Sequence, residues 1–403
     1  MGEAAGDRDV SLYPDFKHSK NEVARAGDVI ASAMSWSPET EDVIRRAFRV
    51  AHSWRDSHAY PMRSIRHSVL HHMKEAGLDG LTGARLKTMP AIRRKLLRKR
   101  WNLAQLQDLG GCRAIMPDIR SVHALYAALC AGIRHEVRHE DNYIAAPKDD
   151  GYRSHHLILS FKAKNSIEDK FTGRRIELQI RTKLQHAWAT TVEAVGLFRG
   201  EGLKNNQGSP EWLRLFALIS AEFAEAEASQ LPPGSLQKRE RVAEIRRLEA
   251  ELDALNLLDR IRIGMHGTDI PLDPAYRPTH FLIRFDHVSQ RASVEPYNIA
   301  MEAAKSYDNA EVLDSRWGGN SQTVVLVEVD KIENLKTAYP NYFGDVQEFR
   351  RQLEQITRDG TATEYSVAPR QRAKIRPAPY GDLSWLRGSR FGRAPSGGIG
   401  KKR

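Results

Sequence analysis

The chain has 403 residues, of which 41% are hydrophobic and 28% are charged, so it is long enough for two or three buried cores. No apolar run approaches the roughly 20 residues that span a bilayer, and residues 1–11 lack the apolar core of a signal peptide. Two cysteines, Cys112 and Cys130, cannot form a disulfide framework. The composition therefore argues against an integral membrane protein or a disulfide-rich secreted one, and predicts a soluble, cytoplasmic protein.

The net charge of +11 is unevenly distributed along the chain. Residues 370–403 contain ten Lys or Arg and one acid, Asp382, so this tail carries +9 and residues 1–369 carry +2. The Gly, Ser, Pro and Arg content of the tail predicts disorder. A role in contacting RNA or ribosomes and a purely solubilising role are both open.

The N-terminal region, residues 1–78, is predicted to be helical. Ser19 and Glu22 have the spacing of a capping box ahead of an apolar stripe. Ser37-Pro38 and Pro61 predict the starts of two further helices, because proline is favoured in the first turn, and Gly77 predicts the end of the second.

Residues 79–200 contain segments with the alternating pattern of strands and segments with the helical period. Residues 201–258 return to a helical pattern. The predicted strands and helices of the first segment are Cys112–Met116, 119–131, His156–Phe161, Arg175–Arg181 and 183–198. The 201–258 segment, with a charged stretch at 236–255, resembles solvated helices or a short coiled coil.

Residues 259–369 are predicted to form a smaller C-terminal α+β domain of unknown role. Its predicted elements are two strands and two helices, at His280–Phe285, 298–313, Thr323–Val329 and 344–357. The expected fold class of the whole chain is α+β, with a mixed β-sheet flanked by helices.

The strand Arg175–Arg181 separates apolar from polar side chains. Because side chains alternate along a strand, Glu177, Gln179 and Arg181 are expected to share one face. A solvent-facing sheet would show the same pattern, so this strand alone does not establish a site.

Asp108 precedes a predicted strand, and Arg113 lies just inside it. The paired glycines between them permit close backbone approach. Asp108 with a second carboxylate, such as Glu177, would suit Mg²⁺ bridging nucleotide phosphates. Alone, Asp108 also fits a turn.

The loop from Asn142 to His156 contains Tyr152 between Lys148 and Arg153, directly before a strand. An exposed aromatic ring among cations suits a nucleobase beside its phosphates.

Residues 85–100 contain eight cations and no acid. Ile92 and Leu96 lie one turn apart and can face a core while the cations stay outside. A triphosphate would compensate the like charges, although a solvated basic face or an RNA-binding patch has the same composition.

Taken together, these four blocks resemble the synthetase domain of the RelA/SpoT alarmone family, from about Arg85 to Phe198. The shared motifs, in order, are Arg-x-Lys…Ile-x-x-Lys, Asp-x-x-Gly-x-Arg, Asp-x-Tyr-Ile-x-x-Pro-Lys-x-x-Gly-Tyr-Arg-Ser-x-His and Glu-x-Gln-Ile-Arg-Thr. The resemblance implies a nucleotidyltransferase-like sheet and a Mg²⁺-dependent transfer of the β,γ-pyrophosphate of ATP to the 3′-hydroxyl of GDP or GTP. The products would be (p)ppGpp and AMP.

The resemblance also implies roles for individual residues. Asp108 and Glu177 would bind Mg²⁺, and Glu177 would also act as the base. The residues implied to bind ATP are Arg85, Lys87, Lys95 and Arg113, the last at the adenine. Tyr152 would stack on the acceptor guanine. The other residues implied at the acceptor are Lys148, Arg153, His156, Gln179 and Arg181.

His155 departs from the family pattern, which has Leu or Ile there, and this affects the expected acceptor pocket. No His-Asp pair precedes Arg85, so hydrolase activity is not expected. Two alternatives are open: a toxin-type relative that modifies the 3′ end of tRNA, with the C-terminal domain as antitoxin or phage sensor, and an inactive RNA-binding relative. The resemblance allows a homo-oligomer but does not require one.

Overall fold

Helices and strands alternate along the part of the chain that the structure, a computed structural model, describes: residues 13, 15–32, 37–98, 101–199, 201, 203, 208–264, 278–286, 291–316, 322–328, 346–359 and 362. The strands are β1 (Leu81–Leu86), β2 (Gly110–Met116), β3 (Glu136–Asn142), β4 (His155–Ser160), β5 (Arg175–Thr182), β6 (His280–Asp286), β7 (Arg291–Tyr297) and β8 (Gln322–Glu328). The helices are α1 (Lys20–Ala31), α2 (Glu41–Asp56), α3 (Ala59–Glu75), α4 (Met89–Leu97), α5 (Ile119–Gly132), α6 (Lys183–Arg199), α7 (Pro210–Ala226), α8 (Lys238–Leu252), α9 (Ala254–Gly264), α10 (Ala300–Arg316) and α11 (Gln347–Asp359). The predictions for the start, 1–11, and the basic tail, 370–403, lie outside the described residues.

These strands form one mixed sheet in the order β3-β4-β5-β2-β1-β8-β6-β7. Strands β2 and β5 run parallel, and the other neighbouring pairs are antiparallel. The predicted α+β class, a mixed sheet flanked by helices, is confirmed. Strands β1, β3 and β7 were not predicted. No helix within the described ranges is both long and apolar enough to cross a membrane.

The apolar face of β5 anchors the centre of the sheet. Ile176, Leu178 and Ile180 are completely buried in a core that includes residues of α3 and α5. Burying each such side chain contributes about 1.5–3 kcal/mol. Because side chains alternate along a strand, this packing turns Glu177 and Gln179 to the opposite face.

The N-terminal helices follow their sequence cues with small shifts. The capping box of α1 is present, since the Glu22 backbone N–H donates to Ser19 Oγ (3.2 Å) and the Ser19 backbone N–H donates to the Glu22 carboxylate (2.9 Å). Helix α2 begins at Glu41 because residues 38–40 form a turn, and Pro61 lies in the first turn of α3. Gly77 ends α3 with a positive φ of 64°.

The C-terminal strands extend the same sheet, because β8 pairs with β1. A buried ion-pair network lies nearby and joins α2 to α10. The fully buried guanidinium of Arg55 contacts Asp308 (2.6 Å) and Glu311 (3.1 Å), and Glu311 also accepts the backbone N–H of Met89 at the start of α4. The described residues all belong to the compact unit Met1–Tyr365. The predicted limits between domains stay predictions.

His58, between α2 and α3, is expected to make stability depend on pH. Burial, with help from the positive charge of Arg174, lowers the pKa of His58 to about 3. In the unfolded chain this histidine binds a proton near pH 6.5, whereas in the folded chain it stays neutral down to about pH 3. The free energy of unfolding is therefore not reduced by His58 above pH 6.5, and it falls as the pH drops from 6.5 towards 3. Between pH 6 and pH 5, the free energy of unfolding of His58→Gln is expected to fall by roughly 1 kcal/mol less than that of the wild type. Denaturant unfolding at each pH measures this difference. The same substitution at the exposed His71 is the control; equal pH dependence in both variants would contradict the prediction.

Candidate active site

The polar face of the sheet carries most of the predicted site residues. Residues paired across neighbouring strands point their side chains to the same face, so the register decides which side chains meet. Arg113 of β2 and His156 of β4 are both paired with Gln179 of β5. The predicted site residues on this face are Arg85, Arg113, His156, Glu177, Gln179 and Arg181.

Gly111 leaves open space at the centre of this face. It is paired with Arg85 on one side and with Glu177 on the other. A Cβ atom built at Gly111 would meet, within 4 Å, only the carbonyl oxygen of Arg85, at 3.8 Å. A ligand therefore has room to lie over β2 between a cation and a carboxylate.

Asp108 lies just before β2 and is held by two lysines. The ammonium groups of Lys87 and Lys95 contact the same carboxylate oxygen, Oδ2, at 3.0 and 2.8 Å. Burial raises the pKa of Asp108, and so does the negative charge of Glu177. The two lysines outweigh both effects and hold this pKa below its usual value. The other oxygen, Oδ1, is buried and has no hydrogen-bond partner.

Helix α4 positions Lys95 for this contact. Thr88 caps the helix by accepting the Ala91 backbone N–H (3.4 Å), and Ile92 and Leu96 are buried, as the apolar spacing predicted. Lys95 lies outside this stripe and faces Asp108. The predicted cations at positions 99 and 100 lie outside the described residues.

Both carboxylate oxygens of Glu177 contact neighbouring side chains. Oε1 lies 3.1 Å from His156 Nδ1, and Oε2 accepts the side-chain amide of Gln179 at 2.7 Å. Burial raises the pKa of Glu177, but His156, Lys87 and Gln179 together lower it well below its ordinary range. Glu177 is therefore ionised at neutral pH.

The hydroxyl group of Tyr152 is held between two site residues. It lies 2.8 Å from His156 Nε2, and Arg181 Nη2 donates to it at 2.7 Å. The ring is partly exposed, with the guanidinium of Arg181 5.4 Å from its centroid. Tyr152 thus presents part of its ring while its hydroxyl is fixed from both sides.

Comparison with known proteins identifies the segment that carries this site. Residues 84–199 match the family model described as "Region found in RelA / SpoT proteins". This segment is a RelA/SpoT region. Every predicted site residue, from Arg85 to Arg181, lies within it, and the expected resemblance of this segment to the RelA/SpoT family is confirmed.

Relatives of the RelA/SpoT region are distant. The chain is 30% identical over 116 residues to GTP pyrophosphokinase YjbM of Bacillus subtilis, covering 28% of this chain and 54% of that protein. It is 26% identical over 160 residues to GTP pyrophosphokinase of Escherichia coli strain K12, covering 38% of this chain and 20% of that protein. The match to the Photobacterium angustum enzyme spans 14% of its length, so the chain aligns with just over half of YjbM and with a fifth or less of the two other enzymes.

Solved structures of similar proteins include small alarmone synthetase 1 from Bacillus subtilis bound to its product pppGpp. That structure has a TM-score of 0.35 and 20% identity, covering 42% of this chain and 89% of the other. A GTP pyrophosphokinase family protein from Streptococcus pneumoniae has the same TM-score and identity, covering 55% of this chain and 98% of the other.

Within the RelA/SpoT region, Tyr143 joins the site although no role was predicted for it. Its ring packs edge-on against Tyr152 (5.9 Å between centroids) and His156 (5.3 Å), and the Lys148 ammonium lies 4.2 Å from the centroid of Tyr143. Burial, followed by the charge of Asp141, raises the pKa of Tyr143 to about 12. The sequence signal that could have identified Tyr143 as a site residue is its position in the motif Asp-x-Tyr-Ile.

The structure does not bring Arg153 into this cluster. Its side chain is buried and contacts Glu227 (2.8 Å) and Ser229 (2.8 Å), which lie just after α7. His155 also points away from His156, because neighbouring residues of β4 face opposite sides, and it contacts Glu140 at 2.7 Å. The unusual residue at position 155 therefore lies outside the cluster of site residues.

Proposed function

We propose that this protein is a Mg²⁺-dependent pyrophosphokinase that transfers the β,γ-pyrophosphate of ATP to the 3′-hydroxyl of GDP or GTP. The observation that carries the proposal is the arrangement around Asp108: two lysines on one carboxylate oxygen, a buried second oxygen without a partner, and Glu177 on the same side of the sheet. The names of the relatives agree with this chemistry.

The ATP phosphates are proposed to bind Arg85, Lys87 and Lys95. Two ammonium groups share one oxygen of Asp108, so their positive charge is only partly compensated there. A triphosphate offers several charged oxygens to the same lysines. We expect the lysines to contact the phosphates when ATP binds, with Arg113 close to the adenine.

The carboxylates fit a magnesium ion. Mg²⁺ is usually held by one or two carboxylates together with phosphate oxygens and water, and the unpartnered Oδ1 of Asp108 and the ionised Glu177 supply that kind of ligand. When bound, Mg²⁺ would neutralise phosphate charge and lower the pKa of the acceptor hydroxyl.

Glu177 is proposed to receive the hydrogen bond and then the proton of the attacking hydroxyl. Its strongly lowered pKa keeps it ionised but makes it a weak base. Its main contribution is therefore expected to be orientation of the hydroxyl, because phosphoryl transfer depends largely on positioning and on neutralising charge.

The acceptor is proposed to bind with its base against the ring of Tyr152 and its phosphates near Lys148. Lys148 is exposed, and its ammonium lies 5.4 Å from the centroid of Tyr152. Gln179 and Arg181 would form the floor of this pocket.

An RNA acceptor is the second candidate, and one surface feature favours it. Leu97, the last residue of the basic helix α4, is 52% exposed, and Trp101, four residues further along the chain, is 48% exposed. Exposed aromatic rings beside cations are typical of surfaces that bind single-stranded nucleic acid. A tRNA 3′ end would present the same kind of hydroxyl group to Glu177.

The test is a transfer assay with the full-length protein, Mg²⁺ and ATP labelled in its γ-phosphate. GDP, GTP and deacylated tRNA are offered separately. Label on GDP or GTP, with release of AMP, is the expected result. Label on tRNA alone would replace the nucleotide acceptor with RNA, and label on no acceptor would contradict the enzymatic proposal and favour an inactive RNA-binding relative.

A further inference from the structure

Tyr152, His156 and Glu177 form a continuous chain of polar contacts across the site. The Tyr152 hydroxyl lies 2.8 Å from Nε2 of His156, and Nδ1 of the same imidazole lies 3.1 Å from Oε1 of Glu177. The imidazole thus links the residue proposed to contact the acceptor base with the carboxylate proposed to contact the acceptor hydroxyl.

The donors in this chain can be assigned from the chemistry of each group. Arg181 can only donate, so the oxygen of Tyr152 accepts a hydrogen from its guanidinium. We assign the single phenolic hydrogen to the contact with Nε2 of His156, so that Nε2 is the acceptor. In a neutral imidazole the hydrogen is therefore on Nδ1, and Nδ1 donates to Glu177.

Gln179 closes the network into a ring. Its amide nitrogen donates to Oε2 of Glu177 (2.7 Å), and its amide oxygen accepts from Arg181 (2.5 Å). Arg181 supplies hydrogens at one end and Glu177 accepts them at the other, so each group has one consistent orientation. A change at the tyrosine hydroxyl is therefore expected to alter the orientation of His156 and the carboxylate.

We propose that the Tyr152 hydroxyl, through His156, positions the Glu177 carboxylate for the acceptor's attacking hydroxyl. This inference rests on the function proposed above and deepens it. Tyr152 then has two separable roles: its ring binds the acceptor base, and its hydroxyl fixes the hydrogen on Nδ1 of His156. His156 acts as a positioning residue and does not need to contact the acceptor phosphates.

Two substitutions separate the roles in steady-state kinetics. Tyr152→Phe keeps the ring and removes the hydroxyl, so kcat is expected to fall about tenfold while the acceptor KM changes less than about threefold. Tyr152→Ala removes the ring as well, and the acceptor KM is expected to rise by about tenfold or more. A Tyr152→Phe variant with wild-type kcat, or one changed only in KM, would overturn the proposal.

A spectroscopic measurement reports on the imidazole independently of activity. In the full-length protein labelled with ¹⁵N-histidine, the His156 signals are identified by their loss in His156→Asn. The wild type is expected to show the Nδ1-protonated form, and Tyr152→Phe is expected to shift both ring-nitrogen signals. Unchanged nitrogen signals in Tyr152→Phe would overturn the proposal.

Tyr126→Phe is the matched control, because Tyr126 donates its hydroxyl to Glu140 (2.8 Å) and packs beside His155, away from the site. It is expected to leave kcat and the His156 signals unchanged. Wild-type protein that transfers label to no acceptor would reject the proposed function, whereas active wild type with an unaffected Tyr152→Phe would reject this inference alone.

Discussion

Glu177→Gln is expected to reduce pyrophosphate transfer by about 100-fold or more, the cost of losing the orientation of a reacting group. The substitution keeps the size of the side chain but removes the negative charge that accepts from His156 and Gln179. It also removes one of the two carboxylates proposed for Mg²⁺. The measurement is the initial rate of label transfer at saturating ATP and acceptor.

The control for this variant is Glu140→Gln on β3. Glu140 contacts His155 much as Glu177 contacts His156, but it lies outside the cluster of site residues. Glu140→Gln is expected to keep transfer within about twofold of the wild type, since it touches no group proposed for the reaction. Circular dichroism should show folded protein for both variants, and a fully active Glu177→Gln would remove the role assigned to this carboxylate.

Arg55→Leu is expected to lower the free energy of unfolding by about 3–5 kcal/mol. The guanidinium is completely buried, and it compensates the carboxylates of Asp308 and Glu311 while stacking 4.4 Å from the centroid of the Tyr307 ring. Without it, the buried carboxylate of Glu311 and the partly exposed carboxylate of Asp308 lose the cation that they share. Denaturant unfolding at pH 7 measures the loss.

Arg45→Leu on the same helix is the matched control. Arg45 pairs with Glu41 at 2.6 Å, but both side chains are more than a third exposed, so the ion pair is expected to contribute less than about 1 kcal/mol. If Arg55→Leu costs no more than Arg45→Leu, the network is not a stabilising link between α2 and α10. The double variant Arg55→Leu/Glu311→Gln should recover part of the loss, because one of the uncompensated charges is removed.

Local periodicity predicted the elements that bury an apolar stripe. Strand β5 and helices α1 and α4 were found because their apolar residues are spaced to meet a core. Strand β3 was missed because it lies at the edge of the sheet and its side chains are mostly exposed, so Glu136–Asn142 has no apolar alternation. Short β1 contains Gly83 and was obscured by the basic segment that follows it.

These local patterns did not predict contacts between segments that are distant in the sequence. The contact between Arg55 and Asp308 joins residues 253 positions apart. Likewise, β8 meets β1 through the pairs Ala84 with Glu328 and Arg85 with Val327. No local spacing reports either contact, because each depends on how the sheet continues through the C-terminal strands.

The motifs identified the residues of the candidate site better than their orientations. Tyr152 and Arg153 precede β4, where strand alternation does not apply. The structure places Tyr152 beside His156 and Arg153 against Glu227, but the motif had grouped all three together. The hydrogen bond between Tyr152 and His156 depends on side-chain conformation, which sequence spacing does not determine. The roles of these residues therefore stay predictions until the variants are measured.

The pairing of β1 on both of its edges has a practical consequence for truncation experiments. Deleting residues 259–403 would remove β8, leave one edge of β1 open to intermolecular association, and take away the acidic partner of the buried Arg66, Glu328 (3.2 Å). Such a shortened chain is expected to aggregate, and a loss of activity in it would then report misfolding. The contribution of the C-terminal elements is therefore better measured by single substitutions in the intact chain.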